Sequence, residues 1–506
     1  MKWNWILDAK RRHERETLLA RPAGGGRLSA VLAYPDTYFT GMSNLGFQAV
    51  WSLFNRELGI SCERAFYPDQ KYASYFRSNG NLRSLETQKP LHEFGMICFS
   101  ASFETNYPML VDMLGMTAVP ARSRDRGDGD PLVILGGAVS CLNTEPVADF
   151  IDAVVIGRAE DSWPEIAETI ERSSGRLEAL GELSRLDNVI VPSLMRPRDA
   201  RRKGSSRRFF SSSIMTGETE FADTVLTEIM RGCPFGCRFC TVSNCFGQCM
   251  FRPAGEMISE LEGLGGGVRK IGLIGGSINA HPEFGEILSY LRSRSLKVGF
   301  SSLRADRLTN ETLDFIMREG GKTLTLAPET ANEKRRFLLG KRITDDAFME
   351  SAEMAFAAGI ENLRLYFMTG LPGETAEEAA GTGEMIGRLR SLKGAGRAKI
   401  SVSVSQFVPK PFTPLEREGQ NSPEEAERKL AAIRGSLPKG VKMSGESPGA
   451  AALQGVLARG GRSLSAILSA SPGTSYGKWR RLAEKAGIDL DGILSKKGED
   501  EELPWR

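Results

Sequence analysis

The sequence predicts an α/β protein of two or three domains, and two observations support this prediction. Short apolar runs alternate with helix-length amphipathic stretches in two separate parts of the 506 residues, as in parallel sheets flanked by helices. A hydrophobic fraction of 41% and a charged fraction of 25% are ordinary for a globular chain. The expected divisions are an N-terminal extension at 1–26, an α/β domain at 27–195, a linker at 196–220, a second α/β domain at 221–415 and a helical C-terminal region at 416–506.

The first α/β domain is predicted to hold four strands separated by turns and helices. The strands are expected at 27–34, 95–100, 131–137 and 151–157, and the helices at 45–58, 106–114 and about 162–172. This alternation predicts a doubly wound, mostly parallel sheet of the Rossmann or flavodoxin-like kind. Ligands of such sheets lie beyond the carboxyl ends of the strands.

The second α/β domain is predicted to hold six strand-and-helix units. Their strands are expected at 225–230, 270–274, 297–301, 323–327, 362–367 and 399–404. Six units are too few for a complete eight-stranded barrel, in which active sites gather at the carboxyl ends of the strands. Beyond residue 416 the signals are mainly helical, beginning with a capping box from Ser422 to Glu425.

Charge and composition narrow the classes of partner. The net charge of +3 does not by itself favour nucleic acid or a membrane surface. The basic stretch at 196–208 is interpreted as a solvated linker, with phosphate contact as the alternative. The sequence contains no run of about 18 apolar residues, so no membrane span is predicted. The first residues lack the pattern of a signal peptide. We therefore expect a cytoplasmic protein.

The most specific motif is a group of three cysteines directly after the predicted strand at 225–230. Cys233, Cys237 and Cys240 stand at CxxxCxxC spacing, with Phe239 before the last of them. Three thiolates can hold three corners of a cubane iron–sulfur cluster, which needs four ligands in all. The fourth iron is then open to an outside ligand.

Two further cysteines leave an alternative open. Cys245 and Cys249 could complete a zinc site, which would make the region a non-catalytic metal-binding module. They could also act as auxiliary thiols, as a redox pair, or be ordinary buried loop residues. Cys141, after the third predicted strand, is expected to be a buried small residue.

The cysteine spacing, the aromatic residue and the preceding strand resemble the signature of the radical S-adenosylmethionine (radical SAM) enzymes. The resemblance implies that the open iron chelates the amino and carboxylate groups of SAM. An electron from the [4Fe-4S] cluster then splits the sulfonium to give a 5′-deoxyadenosyl radical. The resemblance further implies an open, partial (β/α)6 barrel and an external electron donor such as flavodoxin or ferredoxin.

The same resemblance implies that SAM contacts follow the barrel strands. Ser277 stands where the family commonly has an acid that meets the SAM amino group. Arg304 suits a carboxylate, with a surface ion pair as its alternative. Glu329 faces the sulfonium or ribose, with a helix-terminal carboxylate as its alternative. The full set implied to contact SAM is Phe239, Gly275, Gly276, Ser277, Ser302, Arg304, Glu329 and Gly370.

Three segments of the first domain, at 33–46, 134–138 and 153–161, resemble the cobalamin-binding-type domain that precedes the radical SAM core in one large subgroup. The Asp-x-His-x-x-Gly motif that supplies an axial histidine is absent, and His92, the single histidine between 27 and 175, has other neighbours. Members of the subgroup can hold cobalamin without a histidine ligand. Cobalamin binding therefore stays open, beside a domain that keeps the fold without the ligand.

The leading expectation is a radical SAM enzyme that performs cobalamin-assisted methyl transfer to an unactivated carbon. The second reading is hydrogen abstraction without cobalamin, for rearrangement, coupling or sulfur insertion. The apolar segment at 407–412 after the sixth strand is expected to face the substrate. It suits a small molecule, a lipid or a peptide equally well.

Overall fold

In the computed structural model, the described residues are 2–22, 24–197, 206–264, 267–300, 303–470 and 475–506. The chain forms two compact units, and three segments of it make up the first. The first unit consists of Met1–Leu226, Leu457–Leu490 and Glu502–Arg506. The second consists of Thr227–Val456 and Asp491–Glu501.

The first unit is built on a six-stranded sheet with a two-stranded ribbon beside it. Its strands are β1 (Thr17–Leu18), β2 (Leu28–Tyr34), β3 (Ile60–Phe66), β4 (Met96–Ser100), β5 (Leu132–Gly136), β6 (Ala153–Val155), β7 (Val189–Ile190) and β8 (Ile214–Met215). The large sheet has the order β3-β2-β4-β5-β6-β7, and every pair in it except β6–β7 is parallel. The predicted doubly wound, mostly parallel sheet is confirmed.

Helices connect these strands. They are α1 (Lys2–Glu14), α2 (Tyr38–Met42), α3 (Leu45–Arg56), α4 (Gln70–Asn79), α5 (Tyr107–Gly115), α6 (Ala159–Arg172) and α7 (Arg176–Leu183). The start of α3 shows why the chain becomes helical where it does. The Asn44 side chain accepts a hydrogen bond from the Phe47 amide, which satisfies a free N–H of the first turn. Phe47, Trp51 and Phe54 then place one apolar face in the core.

Strand β3 was missed by sequence reasoning. Its residues Ile-Ser-Cys-Glu-Arg-Ala-Phe place Glu63 and Arg64 in the middle of the run, so no apolar pattern is visible. The strand lies at the edge of the sheet, and Arg64 is nevertheless buried. Its guanidinium donates to both carboxylate oxygens of Glu16 and to Glu86, which compensates the burial of the charge.

The second unit contains the predicted second set of strands. They are β9 (Val225–Glu228), β10 (Met230–Arg231), β11 (Met250–Phe251), β12 (Lys270–Ile274), β13 (Lys297–Phe300), β14 (Thr323–Glu329), β15 (Asn362–Thr369), β16 (Lys399–Gln406) and β17 (Lys442–Gly445). They form sheets of order β13-β12-β9 and β14-β15-β16-β17, with β10 and β11 as an antiparallel pair. A parallel bridge between Leu303 and Leu326 lies between the two larger sheets. No closed barrel forms among the described strands, in agreement with the predicted partial barrel.

Helices α8 to α15 belong to this unit, and α16 begins in it and ends in the first unit. They are α8 (Thr241–Cys245), α9 (Ala254–Gly263), α10 (Phe284–Ser293), α11 (Asn310–Arg318), α12 (Glu333–Leu338), α13 (Asp345–Ala358), α14 (Ala376–Arg390), α15 (Pro423–Ser436) and α16 (Pro448–Arg459). The side chains of Thr309, Thr344 and Ser422 cap α11, α13 and α15, and the last of these is the predicted cap.

The region at 416–506, expected to be mainly helical, is divided between the two units in the structure. Strand β17 adds a parallel strand to β16 after α15, so the second unit has one more barrel strand than the six predicted. Helices α17 (Ser465–Ala470) and α18 (Tyr476–Ala486) belong to the first unit, and α19 (Leu490–Leu494) follows them. The Asn143 side chain donates to the carbonyls of Ala458 and Gly460, which binds the returning chain to the first unit. None of the described helices has both the length and the apolar character that a membrane span needs.

Candidate metal centre

The three predicted ligands lie on a loop closed at its base by a short β ribbon. Strands β10 and β11 pair in antiparallel register, with Met230 opposite Phe251 and Arg231 opposite Met250. The loop between them carries five cysteines. Cys233, Cys237 and Cys240 are all partly exposed and free of disulfide bonds. The ribbon thus presents three thiols directly after the first barrel strand.

Hydrogen bonds within the loop fix the backbone around the ligands. The Asn244 side chain donates to the carbonyl oxygens of Cys237 and Cys240, at 2.9 and 2.7 Å. The Cys240 amide donates to the Cys237 carbonyl at 3.1 Å. Gly232 and Gly236 have φ of +69° and +62°, a conformation that favours glycine. The turn is therefore set by residues other than the thiols.

The three thiols influence one another electrostatically. Burial and, to a smaller extent, the charge of Cys240 raise the pKa of Cys233 and raise that of Cys237 to about 11. Lys341 and Arg304 act in the opposite direction on the pKa of both thiols. Their positive charges can offset the negative charge of thiolates, which are the form that binds metal.

The donor set fits an iron–sulfur cluster. Three soft thiolates on one loop are the ligands that such clusters take, each bound to a different iron. In the described part of the chain, no group of three or more His, Cys, Asp or Glu side chains is arranged around a single metal ion. Cys245 is buried and its Sγ lies 3.4 Å from the Pro411 carbonyl, whereas Cys249 is partly exposed, and burial and the charge of Cys233 raise its pKa. Cys141 is buried, as expected.

Gly275 and Gly276, after β12, serve close packing against this loop. A Cβ at Gly276 would lie 2.8 Å from the Gly232 carbonyl and 3.3 Å from the Cys233 Cβ, and one at Gly275 would clash with Met230. The missing Cβ of each glycine therefore points at other residues of the protein, and contact of the two glycines with SAM stays a prediction. Ser277, next in sequence, is buried, and its Oγ has no hydrogen-bond partner among the described residues.

Arg304 is held on three sides. Its guanidinium lies 3.7 Å from the centroid of the Phe235 ring, and its Nε lies 2.7 Å from Asp306. The Asn279 side chain exchanges two hydrogen bonds with the Arg304 backbone. Arg304 thus combines a position at the cysteine loop with the ion pair that we named as its alternative. Ser302 lies outside the described residues.

Glu329 ends β14 and pairs with a residue that no motif indicated. Lys341 Nζ lies 2.6 Å from Glu329 Oε1, and both side chains are mostly buried. Glu329 has φ of +66°, which is strained for a residue with a side chain. Such strain concentrates at functional sites. No local signal marks Lys341, because its role depends on a loop that follows α12.

Gly370 follows the fifth barrel strand, β15, and Phe239 packs on the apolar residues near the end of that strand. Gly370 has φ of +83°, and its amide donates to Glu374 at 2.6 Å. Phe239 packs on an apolar cluster formed by Leu339, Leu371, Phe407 and Leu415, with Met368 also in contact. The aromatic residue before the last cysteine therefore joins the loop to the carboxyl ends of β15 and β16.

The first unit has its own cavity at the carboxyl edge of its sheet. About 40 Å³ in volume, the cavity is lined by Ser100, Gly137 and Gly157 at the ends of β4, β5 and β6, and by Trp163 of α6. His92 precedes β4 and so lies toward the opposite, amino edge. This position excludes His92 as a ligand at the carboxyl edge.

A motif in the first unit was missed. Asp36, Tyr38 and Gly41 have the spacing of Asp-x-His-x-x-Gly, with tyrosine in the histidine position. Tyr38 is buried and donates to Glu16 at 2.6 Å. A search for histidine alone could not reveal this segment; the spacing of the aspartate and the glycine could.

These features define a class: an α/β enzyme with a three-cysteine loop at the mouth of an open barrel and a doubly wound sheet before it. Two family models match, described as "Radical SAM proteins, N-terminal" over residues 46–192 and "Radical SAM superfamily" over residues 227–386. The chain belongs to the radical SAM superfamily and is a radical SAM enzyme. The cofactors of this family are the [4Fe-4S] cluster and SAM, and the cysteine loop fits the former.

Individual relatives agree with this assignment. An uncharacterised protein of Methanocaldococcus jannaschii is 27% identical over 419 residues, covering 82% of this chain and 88% of that protein. TsrM from Kitasatospora setae, a radical SAM methyltransferase with tryptophan and a SAM analogue bound, has a TM-score of 0.55 at 12% identity, covering 90% of this chain and 98% of that chain. OxsB, a cobalamin-dependent SAM radical enzyme with aqua-cobalamin and SAM bound, has a TM-score of 0.51 at 13% identity, covering 94% of this chain and 64% of that chain. At these identities the two solved structures show a shared fold.

Proposed function

We propose that this radical SAM enzyme binds cobalamin in its first unit and methylates an unactivated carbon of its substrate. The observation that carries the proposal is the presence in one chain of two elements. One is the loop with Cys233, Cys237 and Cys240; the other is a doubly wound sheet with a cavity at its carboxyl edge. TsrM and OxsB, which share the fold, are a methyltransferase and a cobalamin-dependent enzyme, respectively.

The residues of the second unit hold and shield the cluster. Cys233, Cys237 and Cys240 would bind three irons, and SAM would meet the fourth. Asn244 holds the carbonyls of two of these cysteines, so the thiols stay aimed when the loop is empty. Phe239 and its apolar neighbours exclude water from one side of the loop. When bound, the cluster supplies the electron that cleaves SAM.

In the first unit, the carboxyl edge of the sheet is the place where cobalamin would lie. Its cavity lies where ligands of doubly wound sheets are bound. Gly137 and Gly157, with φ of +92° and +96°, keep the backbone at its rim free of side chains. Neither His92 nor the buried Tyr38 is placed to bind a cobalt. Cobalamin would supply the methyl group, held by contacts of its ring and tail.

The remaining parts of the proposal concern partners. The substrate is a small molecule, a lipid or a peptide, received near 407–412 after β16. An external one-electron carrier such as flavodoxin or ferredoxin reduces the cluster. We also propose that the protein acts in the cytoplasm.

A second candidate is hydrogen abstraction without cobalamin, for rearrangement, coupling or sulfur insertion. The tyrosine at position 38, in place of an axial histidine, is the observation that favours it. The two candidates share the cleavage of SAM and differ in whether the first unit carries a ligand.

Anaerobic reconstitution with iron, sulfide, SAM and dithionite tests the proposal. We expect about four irons and four sulfides per chain, and formation of 5′-deoxyadenosine that is lost in Cys237→Ala and kept in the matched variant Cys245→Ala. Equilibrium dialysis against hydroxocobalamin then separates the candidates. Formation of 5′-deoxyadenosine without retention of cobalamin would leave the second candidate, and a full cluster without 5′-deoxyadenosine would refute both.

A further inference from the structure

An ion pair beside the cysteine loop has the charges that one end of SAM requires. Lys341 Nζ lies 2.6 Å from Glu329 Oε1, and the two side chains are 11% and 14% exposed. A mostly buried ion pair costs desolvation that its own attraction repays poorly. The positive φ of Glu329 adds backbone strain at the same place. A pair that is costly and strained suggests that these residues bind a ligand rather than stabilise the fold.

The pair lies next to the predicted cluster ligands. Gly340 packs on the loop, since a Cβ built there would lie 3.0 Å from the Gly236 carbonyl. The Arg238 amide donates to the Leu339 carbonyl at 2.8 Å. The residues just before Lys341 thus touch the backbone on both sides of Cys237. Lys341 follows these residues directly in the sequence, which brings the pair to this ligand.

We propose that Glu329 and Lys341 exchange partners when SAM binds. The Glu329 carboxylate accepts an N–H from the SAM amino group, and the Lys341 ammonium donates to the SAM carboxylate. One internal pair is replaced by two pairs of the same kind, so no buried charge is left alone. This inference rests on the proposed SAM site and assigns two of its residues.

Arg304 is the competing cation. Its Nε already lies 2.7 Å from Asp306, its face is on Phe235, and the Asn279 side chain fixes its backbone. The terminal N–H groups of its guanidinium can still meet a carboxylate, so the variants below decide between the two cations. Lys341 loses a carboxylate and gains one.

Three SAM analogues that differ in their amino and carboxylate groups distinguish the role of Glu329 from that of Lys341. S-adenosylhomocysteine has the amino and carboxylate groups, its decarboxylated analogue has the amino group alone, and methylthioadenosine has neither. Their dissociation constants are measured by isothermal titration calorimetry on anaerobically reconstituted protein. Iron content and visible absorbance confirm that each variant holds its cluster.

Lys341→Met should weaken the binding of S-adenosylhomocysteine at least about tenfold, because a charged hydrogen bond is lost. It should not weaken the binding of the decarboxylated analogue, since that probe no longer has to break the internal pair. Glu329→Gln should weaken the binding of both probes that carry the amino group. Neither variant should alter the binding of methylthioadenosine.

Lys322 and Glu361 provide a matched control. They form an exposed pair, also at 2.6 Å, at the amino ends of the same two strands, β14 and β15. Lys322→Met should leave all three dissociation constants unchanged. If Lys341→Met loses its cluster, Lys341→Gln and Lys341→Arg replace it, and Arg should restore binding relative to Gln.

Two results would refute different statements. If wild-type protein with a full cluster bound none of the probes, the proposed SAM site itself would fall. If wild-type bound S-adenosylhomocysteine and the Lys341 variants bound it equally well, the partner exchange alone would fall. Loss of binding in Arg304→Met together with no loss in Lys341→Met would assign the carboxylate to Arg304.

Discussion

The guanidinium of Arg304 lies 3.7 Å from the centroid of the Phe235 ring. Phe235 stands between two predicted cluster ligands, and Arg304 follows β13. The contact therefore joins the third barrel strand to the cysteine loop, and a cation over an aromatic face contributes about 0.5–2 kcal/mol.

Phe235→Leu should loosen the cysteine loop. We expect iron to be lost to a chelator roughly two- to fivefold faster, which corresponds to about 0.5–1 kcal/mol. Adding Arg304→Met should cost less than the sum of the two single changes, because both remove one contact. Lys89 lies over Phe94 in the first unit and offers a control, so Lys89→Met should leave the rate of iron loss unchanged. Strict additivity would contradict a direct contact.

Gly276→Ala should impair the cluster without unfolding the protein. A Cβ there would lie 2.8 Å from the Gly232 carbonyl and 3.3 Å from the Cys233 Cβ, so the first ligand must move. We expect a lower iron content after reconstitution, measured by colorimetric assay. Gly255, inside α9, has no atom near its missing Cβ, and Gly255→Ala should leave iron content unchanged while adding about 0.5–1 kcal/mol of stability. Equal iron in the two variants would refute this packing role.

Cluster assembly should become more favourable as pH rises. Burial raises the pKa of the Cys237 thiol to about 11, so the empty site is protonated at neutral pH and must lose protons to bind iron. Iron incorporation at fixed iron and sulfide should therefore increase between about pH 7 and about pH 9. The Lys341 cation lowers the same pKa, so Lys341→Met should move the profile to higher pH. A flat profile would show that thiol deprotonation does not limit assembly.

The stability of the first unit should depend on pH through His13, in the last turn of α1, and Glu16, just after that helix. Burial alone raises the pKa of Glu16, but Arg64 and the hydrogen bonds from His13, Arg64 and Tyr38 outweigh it and lower the pKa to about 2. Because this pKa is depressed, the stabilisation is complete above about pH 4.5 and is lost as pH falls toward 2, with a magnitude on the order of 3 kcal/mol. The hydrogen bond to Glu16 raises the pKa of His13, so its contribution is complete below 6.5 and is lost at higher pH.

Scanning calorimetry from about pH 3 to about pH 8 checks this dependence. Glu16→Gln should lower the unfolding temperature at neutral pH, and its difference from wild type should shrink in acid. Glu171, paired with Arg27 on the surface, is the control, and Glu171→Gln should change little at any pH. A Glu16→Gln difference that did not vary with pH would refute the assigned role of the carboxylate.

The elements that sequence reasoning located are those with strong local signals. The spacing of Cys233, Cys237 and Cys240 is a property of nearby residues, because one short loop must place all three thiols. Strands β2, β4 and β5 are continuous apolar runs buried on both faces, so their positions were visible in the sequence. Strand β3 was hidden because its buried Arg64 depends on Glu16, a residue distant in the chain.

The sequence by itself determined the class of cofactor, because thiolate chemistry and ligand spacing are local. It also determined the two-part α/β plan, because burial of strands leaves a periodic trace. The tertiary structure decided what surrounds the cysteine loop: the packing of Gly276 on Cys233, and the pairing of Glu329 with Lys341. It also placed the chain from Leu457 to Leu490 in the first unit. Such contacts join separate segments, and their energies depend on distance and burial, which no local pattern specifies.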